Sequence, residues 1–291
     1  MKFISIVTML LALSTAAMAC TEDGSTGFLP ENSLYIPAGV KADGGLSQAQ
    51  FNAVIKKIED LYVPIVSGMK ANLKIARKWE DGTVNANATR MGSTWNVNMY
   101  GGLARHQTIT EDGFSLVLCH EIGHHIGGAP KYNNFLPINK WASNEGQSDY
   151  WAALKCLRQV FLNDNNAAVV AKLKAPAVLV DACTKAHPNK DDKNICIRTG
   201  MAGSSVADLF AALRKDTKLA KFDTPDTKAV TKTNDAHPAY QCRLDTYFQG
   251  ALCEKGMNEA VDQKDEVAGT CHGITGQTLG LRPTCWFKAK K

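Results

Sequence analysis

The sequence has little of what marks fibrous, low-complexity or membrane-spanning proteins. Glycine, with 23 residues, and proline, with 10, are too few among 291 residues for a fibrous or low-complexity chain. Beyond the N-terminus, no apolar run approaches the roughly 18 residues that a membrane helix needs. With 45% hydrophobic and 21% charged residues, the composition is that of an ordinary globular protein. We therefore expect a folded body without a transmembrane helix in the mature chain.

A concentrated basic patch of the kind that binds nucleic acid is also missing. The formal net charge is +5, and the basic residues are scattered apart from Lys288, Lys290 and Lys291 at the end of the chain. Nucleic-acid-binding domains usually gather lysine and arginine on one face or along one helix. We therefore expect no nucleic-acid partner.

The first 19 residues have the organisation of a secretory signal peptide, and we expect an exported protein. Lys2 precedes a short apolar stretch at 3–13, and residues 17–19 (Ala-Met-Ala) form a small-x-small cleavage site. Cys20 follows this site directly, as does the cysteine that receives lipid in bacterial lipoproteins. Ala-Met-Ala equally suits ordinary signal cleavage. Two alternatives therefore stay open. The protein could be a lipoprotein, anchored at Cys20 in the periplasm or outer membrane, or a free secreted protein.

The cysteines predict disulfides rather than a zinc ribbon, because no CxxC pair occurs. The total of nine is odd, and setting Cys20 aside leaves an even set of eight, enough for four disulfides in an oxidising compartment. These eight are Cys119, Cys156, Cys183, Cys196, Cys242, Cys253, Cys271 and Cys285. The spacings 183/196, 242/253 and 271/285 suit loop-closing disulfides, although the sequence leaves the connectivity open.

The order of predicted elements indicates an α+β fold, with a small antiparallel sheet followed by a mostly helical, disulfide-bearing portion. Residues 20–45 are rich in Gly, Pro, Ser and Asp and predict a tether or irregular arm. A helical pattern starts at Ser47, and we expect Pro64 to bend or end that helix. Three alternating segments, at 73–79, 83–89 and 95–100, predict an antiparallel meander.

Helical patterns dominate after the predicted meander. Thr110 is a suitable N-cap for a strongly apolar helix that should end at the Gly127-Gly128 pair. A second helix is expected over about 144–162. Further helices are predicted near 166–182, 204–215 and 238–254, loops at 183–200 and 222–236, and an irregular cysteine-bearing tail at 255–291.

The strongest chemical signal is an HExxH motif at residues 120–124 inside the helix that Thr110 caps. Positions i and i+4 share a helix face, so His120 and His124 can chelate one metal ion. Glu121 lies beside them, where its carboxylate can take a proton from metal-bound water. The motif therefore predicts a Zn²⁺ site with Glu121 as general base.

Two histidines do not complete a catalytic zinc site, which uses three protein ligands and one open position. The metzincin pattern would need a third histidine at position 130, where this chain has Pro130. Residues 144–149 (Asn-Glu-Gly-Gln-Ser-Asp) resemble the NExxSD pattern on the second zinc helix of gluzincins. This resemblance implies Glu145 as the third ligand. Asp149, one helical turn later, could accept the free N–H of His120.

A third string, HPxxxxR at residues 237–243, resembles one in the gluzincin peptidases related to the bacterial heat-shock protease HtpX and the CAAX-prenyl endopeptidases. The resemblance covers residues 110–250 loosely and the three motifs closely, and it implies a gluzincin-like fold; we expect the metallopeptidase domain to span residues 46–254. It also implies that His237 lies near the metal, as a transition-state donor or a displaceable extra ligand. Arg243 would support the site or the substrate backbone. His187-Pro188 lacks the following arginine and serves as a decoy.

A candidate substrate-binding strand precedes the zinc helix. In gluzincins generally, an edge strand in the position of residues 95–100 pairs with an extended substrate, which here would involve Asn96 and Asn98. The alternative is a plain edge or core strand. Together these patterns predict an exported zinc metalloendopeptidase acting on protein or peptide substrates. The rival hypothesis is a catalytically inactive zinc-binding envelope protein with a chaperone-like or assembly role, which would not need Glu121.

Overall fold

The computed structural model describes residues 27–40, 44–133 and 141–289. It confirms an α+β fold, in which a three-stranded sheet is followed by a mainly helical body. The first elements are α1 (Gln48–Gly68), β1 (Asn72–Lys78), β2 (Ala86–Met91), β3 (Thr94–Tyr100), α2 (Gly101–Arg105) and α3 (Glu111–Ile126). The signal-peptide and Cys20 predictions lie outside the described residues. No helix in the described ranges is both long and apolar enough to span a bilayer.

Helix α1 begins as expected but continues past its proline. The Ser47 hydroxyl accepts a hydrogen bond from Gln50 N, and Gln50 Oε1 accepts one from Ser47 N, which together form a capping box. The helix runs on to Gly68, so the alternative that Pro64 ends it is wrong. Pro64 lies on the exposed side, while Tyr62 and Val66 are buried in the core and hold the helix together.

The sheet has the order β1-β3-β2, with β3 in the centre. Strands β2 and β3 form the expected antiparallel pair, but β1 pairs with β3 in parallel, so the predicted antiparallel meander is wrong for β1. The reason lies in the residues between β1 and β2, which pair with the N-terminal arm through an antiparallel bridge between Thr83 and Tyr35. The arm thus lies along the segment that leads into β2, where β1 would lie in a meander. Strand β1 instead pairs with the other edge of β3.

Two helices form the framework of the site. Thr110 caps α3 by accepting from Gly113 N, and the chain turns at Gly127 and at Gly128, whose φ is +81°. The second helix begins after the Asn144 cap and confirms the predicted span. It consists of α4 (Glu145–Trp151), a π-helical turn (Ala152–Cys156) and α5 (Leu157–Phe161).

The later helices differ in two places from those predicted. The remaining helices are α6 (Asn166–Val170), α7 (Ala177–Ala186), α8 (Lys190–Arg214) and α9 (Tyr240–Leu252). The single helix expected over 166–182 is divided, since a proline at position 176 precedes and starts a new helix, α7. The loop predicted at 183–200 is wrong, because α8 begins within it. Asn189 accepts from the backbone N–H groups of Asp191 and Asp192, a capping signal that the sequence reading missed.

Four disulfides join the predicted eight cysteines: Cys119–Cys156, Cys183–Cys196, Cys242–Cys285 and Cys253–Cys271. Of the three suggested spacings, only 183/196 is a bond. The cysteines of the suggested pairs 242/253 and 271/285 instead form Cys242–Cys285 and Cys253–Cys271, with separations of 43 and 18 residues, because the irregular tail folds back over α4 and α9. There Trp286 is fully buried in a cluster with Tyr150 and Leu154.

The described part of the N-terminal arm is irregular, and it is packed onto the body. Phe28 and Leu29 are buried in the main core. The arm runs antiparallel to residues 82–86, with hydrogen bonds from Phe28 N to Ala86 O at 2.8 Å and from Ile36 N to Gly82 O at 2.7 Å. This path places Phe28 beside His120 on the HExxH helix.

Candidate metal centre

Helix α3 places His120 and His124 on one face, one turn apart, as the HExxH spacing requires. Their ring centroids are 4.6 Å apart, and both side chains are buried. The helix is buried almost throughout, because apolar residues surround the motif on both sides. The two imidazoles are therefore fixed in a water-poor interior rather than displayed on the surface.

Hydrogen bonds fix the protonation of both imidazoles at Nδ1. His120 Nδ1 donates to Asp149 Oδ1 at 2.7 Å, and His124 Nδ1 donates to the carbonyl oxygen of Ser143 at 2.8 Å. Within the described residues, the Nε2 atoms of both rings are buried without a hydrogen-bond partner. Two converging imidazole nitrogens that make no hydrogen bond are what a metal ion requires of its histidine ligands.

Glu145, in the first turn of α4, brings a third candidate ligand to the two histidines. Its Oε2 lies 3.4 Å from His120 Nε2, and its Oε1 lies 3.7 Å from His124 Nε2. The ligand atoms of these three residues lie within 4.8 Å of one another, so the group could hold a metal ion. In the described residues one other group, Asp226 with Cys242 and Cys285, is similarly close. Its cysteines are joined by a disulfide and cannot act as thiolate ligands.

The charges in this group are strongly coupled. Burial opposes ionisation of Glu145, but His237, His120 and His124 outweigh it and hold the carboxyl pKa well below its usual value. Burial lowers the pKa of His124 to about 4. For His120 the burial effect is outweighed by Asp149 and Glu145, which raise its pKa to about 9. A metal ion binding here would therefore displace a proton from His120.

Asp149 and Arg243 form a fully buried support behind His120. Arg243 donates to both carboxylate oxygens of Asp149, from Nε at 2.8 Å and from Nη2 at 2.6 Å, and Tyr247 adds its hydroxyl at 2.8 Å. Burial raises the pKa of Asp149, but Arg243 and His120 outweigh it, and the pKa lies below its usual value. The guanidinium also lies 4.3 Å from the centroid of the Phe28 ring. This network holds Asp149 ionised and aimed at His120.

Glu121 is buried beside the ligand histidines. Neither of its carboxylate oxygens has a hydrogen-bond partner within the described residues. Burial raises its pKa to about 8. An unpaired buried carboxyl group costs stability, and such groups are concentrated at functional sites. Glu121 can therefore hold or release a proton near neutral pH.

His237 is brought to the same site from the loop before α9. Its Nε2 lies 3.4 Å from Glu145 Oε2 and 3.0 Å from the carbonyl oxygen of Gly27. The decoy His187 is in a different setting, because its Nε2 donates to Ala251 O at 2.8 Å inside the packing of α7 and α9. Of the two histidines that precede a proline, His187 and His237, the structure thus brings to the site the one that begins the HPxxxxR string.

The proposed substrate strand is not an edge. Strand β3, which carries Asn96 and Asn98, is paired on both sides, so the expectation that it binds an extended substrate by strand addition is wrong. The Asn98 side chain donates to Asn87 Oδ1 on β2 at 2.7 Å, and Asn96 O lies 3.4 Å from Nε2 of His125. The core-strand alternative holds, because β1 reaches the side of β3 that a meander would have left open.

The neighbouring His125 points away from the ligand group. Its ring is stacked between those of Trp95 and Trp141, with centroid distances of 5.1 and 4.8 Å, and Arg90 lies over both tryptophans. Burial holds the pKa of His125 well below its usual value. This stack joins the end of α3 to the sheet and takes no part in the ligand group.

Tyr132 is a site residue that the sequence reading missed. Its hydroxyl donates to Glu145 Oε1 at 2.7 Å, and its ring is stacked near that of His124 with centroids 6.4 Å apart. Hydrogen bonds from Tyr132 N to Ala142 O and from Asn144 N to Pro130 O bring the loop after α3 to Glu145. No residue spacing in the sequence indicates this contact, because it depends on hydrogen bonds between the two ends of the loop that joins α3 to α4.

Comparisons of the chain with family models, with curated proteins and with solved structures found no match. The resemblance to gluzincin peptidases therefore rests on the residues of the three motifs alone. The structure itself contributes a buried group of His120, His124 and Glu145 that could hold a metal ion.

Proposed function

We propose that this protein is an exported zinc-dependent metalloendopeptidase. The observation that carries the proposal is the convergence of His120, His124 and Glu145 with Glu121 buried beside them and lacking a hydrogen-bond partner among the described residues. Three protein ligands leave one position for water or substrate, which is the arrangement of catalytic rather than structural zinc sites. A site that served only to hold a metal would have no use for the Glu121 carboxyl.

The donor set fits zinc. Two imidazole nitrogens and one carboxylate are ligands that Zn²⁺ accepts in hydrolytic enzymes. Asp149 and the Ser143 carbonyl hold the rings from behind, as the outer partners of zinc-bound histidines do. When bound, zinc would lower the pKa of a water molecule and polarise a substrate carbonyl.

Glu121 would act as the proton carrier of the reaction. In the buried setting its raised pKa makes the carboxylate a stronger base than an exposed glutamate. Its oxygens are not engaged by other described groups, so they can accept a proton from the attacking water. The same carboxyl group would then pass that proton to the leaving amine.

His237 would stabilise the negative charge that develops on the carbonyl oxygen. Its Nε2 lies 3.4 Å from Glu145 Oε2 and carries a hydrogen, since its partner Gly27 O can only accept, and this N–H would turn from Gly27 O to the substrate oxygen. An N–H donor in a buried site is worth more than in water, because the surrounding dielectric is low. Arg243 and Asp149 would act indirectly, by holding His120 in place.

The four disulfides support the exported setting, since disulfides persist mainly in oxidising compartments. Signal cleavage after residue 19 and a protein or peptide substrate remain part of the proposal, and both a lipid anchor at Cys20 and free secretion stay open.

The test is Glu121→Gln in the purified mature chain. The amide cannot accept the proton, so cleavage of casein or a broad peptide library should fall by about 100-fold or more, while zinc content and melting temperature stay unchanged. Glu80→Gln, at an exposed position, is the matched control. Unchanged cleavage in Glu121→Gln would contradict the mechanism. A wild type that holds zinc but cleaves no library member would favour the zinc-binding envelope protein instead.

A further inference from the structure

We propose that residues 27–29, here named the strap, position His237 for catalysis and that Asn85 holds the strap in place. The proposal rests on the proposed function, because a positioning role matters only if His237 acts in catalysis. The strap itself lies outside the three motifs. The strap belongs to the N-terminal arm, more than 200 positions from His237 in sequence, yet the two are in direct contact.

The strap determines which nitrogen of His237 carries the hydrogen. The carbonyl oxygen of Gly27 lies 3.0 Å from His237 Nε2 and can only accept, so the proton resides on Nε2. The same nitrogen lies 3.4 Å from Glu145 Oε2. The contact therefore directs the N–H to Gly27 O and holds the ring beside the ligand group, from where the same N–H would turn to a substrate oxygen.

The strap is also tied to the support behind His120. The carbonyl oxygen of Phe28 accepts from Arg243 Nη1 at 3.0 Å, and the Phe28 ring meets the His120 ring edge-on with centroids 4.9 Å apart. Phe28 is fully buried. The successive carbonyl groups of Gly27 and Phe28 therefore accept hydrogen bonds from His237 and Arg243, the first and last residues of the HPxxxxR string.

Asn85 fastens the strap from the turn before β2. Its Oδ1 accepts from Leu29 N at 2.9 Å, and its Nδ2 donates to Leu29 O at 3.2 Å. Within the described residues its other hydrogen bond is to Ala86 N. A Cβ at Gly27 would lie 2.4 Å from Asn85 Nδ2, so the close approach requires glycine. Asn85 acts on His237 only through the strap.

Asn85→Ala should loosen the strap, and Asn32→Ala is the matched control. Asn32 also makes hydrogen bonds in the same arm, away from His237: its Nδ2 donates to Pro30 O and, at 3.4 Å, to Val84 O, and its Oδ1 accepts from Leu34 N. Each zinc-loaded protein is treated with diethyl pyrocarbonate at one fixed pH, and modification of His237 is followed by mass spectrometry. We expect His237 to react at least about five times faster in Asn85→Ala, and at the wild-type rate in Asn32→Ala, with zinc content unchanged in both. Equal rates in all three proteins would overturn the proposal.

Turnover gives a second, separate measurement. Asn85→Ala should lower kcat about tenfold with little change in KM, and it should cause no further loss in a His237→Ala background. A rise in kcat would mean that the strap obstructs the site and would overturn the positioning role. Gly27→Ala, which forces a collision with Asn85, should reproduce the result if Asn85→Ala folds poorly. If the wild type cleaves no peptide, the proposed function fails while the labelling experiment still tests the strap.

Discussion

Cys119 and Cys156 are joined by a disulfide, and the loop that this bond closes contains all three candidate metal ligands. Cys119 lies directly before His120 on α3, and Cys156 lies in the π-helical turn that continues the Glu145 helix. The bond therefore ties together the two helices that must approach each other for His120, His124 and Glu145 to meet. Folding and oxidation are coupled at this point, and the binding of a metal ion by these three residues would be coupled to both.

Replacing both cysteines, as Cys119→Ala with Cys156→Ala, should weaken metal binding as well as the fold. With a separation of 37 residues, loop-closure entropy gives a loss of about 4 kcal/mol in the free energy of unfolding. Chelator competition should show weaker zinc retention. The control is Cys183→Ala with Cys196→Ala, with a separation of 13 residues, which should cost about 3 kcal/mol and leave zinc affinity unchanged. Equal zinc affinity in both double variants would contradict the coupling.

Tyr132→Phe should retain the fold but release the metal faster. The Tyr132 hydroxyl group donates to Glu145 Oε1 at 2.7 Å. Phenylalanine keeps the ring next to His124 but removes this hydrogen bond. Loss of an outer partner of a metal ligand typically weakens binding by about 10- to 100-fold. Zinc dissociation into a chromogenic chelator measures the change, with Tyr35→Phe, at an exposed position, as the control. Identical release rates would remove Tyr132 from the site.

The parts of the molecule that sequence patterns predicted are those determined by local spacing. Thr110 caps the helix that it was expected to cap, and Ser47 and Asn144 cap helices that were predicted to start there, because capping depends on residues within one turn. The HExxH motif brings His120 and His124 together for the same reason. Glu145 could be named because it follows its own cap in a known pattern.

What sequence patterns missed depends on contacts between distant segments. The parallel pairing of β1 with β3 follows from the arm that occupies the other side, which no strand pattern reveals. Tyr132 and Gly27 reach the site through backbone paths set by tertiary packing. The pairing of Cys242 with Cys285 follows the return of the tail.

Gly146→Ala should destabilise the fold, because the C-terminal tail packs directly against α4 at this position. A Cβ at position 146 would lie 2.2 Å from Trp286 Cδ2, and Trp286 is fully buried. Overpacking of this kind typically costs about 1–3 kcal/mol. Gly68→Ala is the control, since a Cβ there meets nothing within 4 Å. Urea unfolding should separate the two variants, and equal midpoints would show that Trp286 can move aside at no cost.

Stability should rise with pH above about 8 because of Lys155. Its ammonium group donates to Gly256 O at 2.6 Å in a buried position, and burial lowers its pKa to about 8. Between that value and the ordinary pKa of about 10.5, the unfolded chain binds more protons than the folded chain, so raising the pH favours folding. The gain is at most about 3 kcal/mol, because one pKa unit corresponds to roughly 1.4 kcal/mol. Lys155→Met should lack this increment, whereas Lys172→Met, at an exposed position, should keep it. Urea unfolding of the three proteins from pH 7 to pH 10 measures the difference, and parallel stability curves for wild type and Lys155→Met would show that the lysine titrates normally.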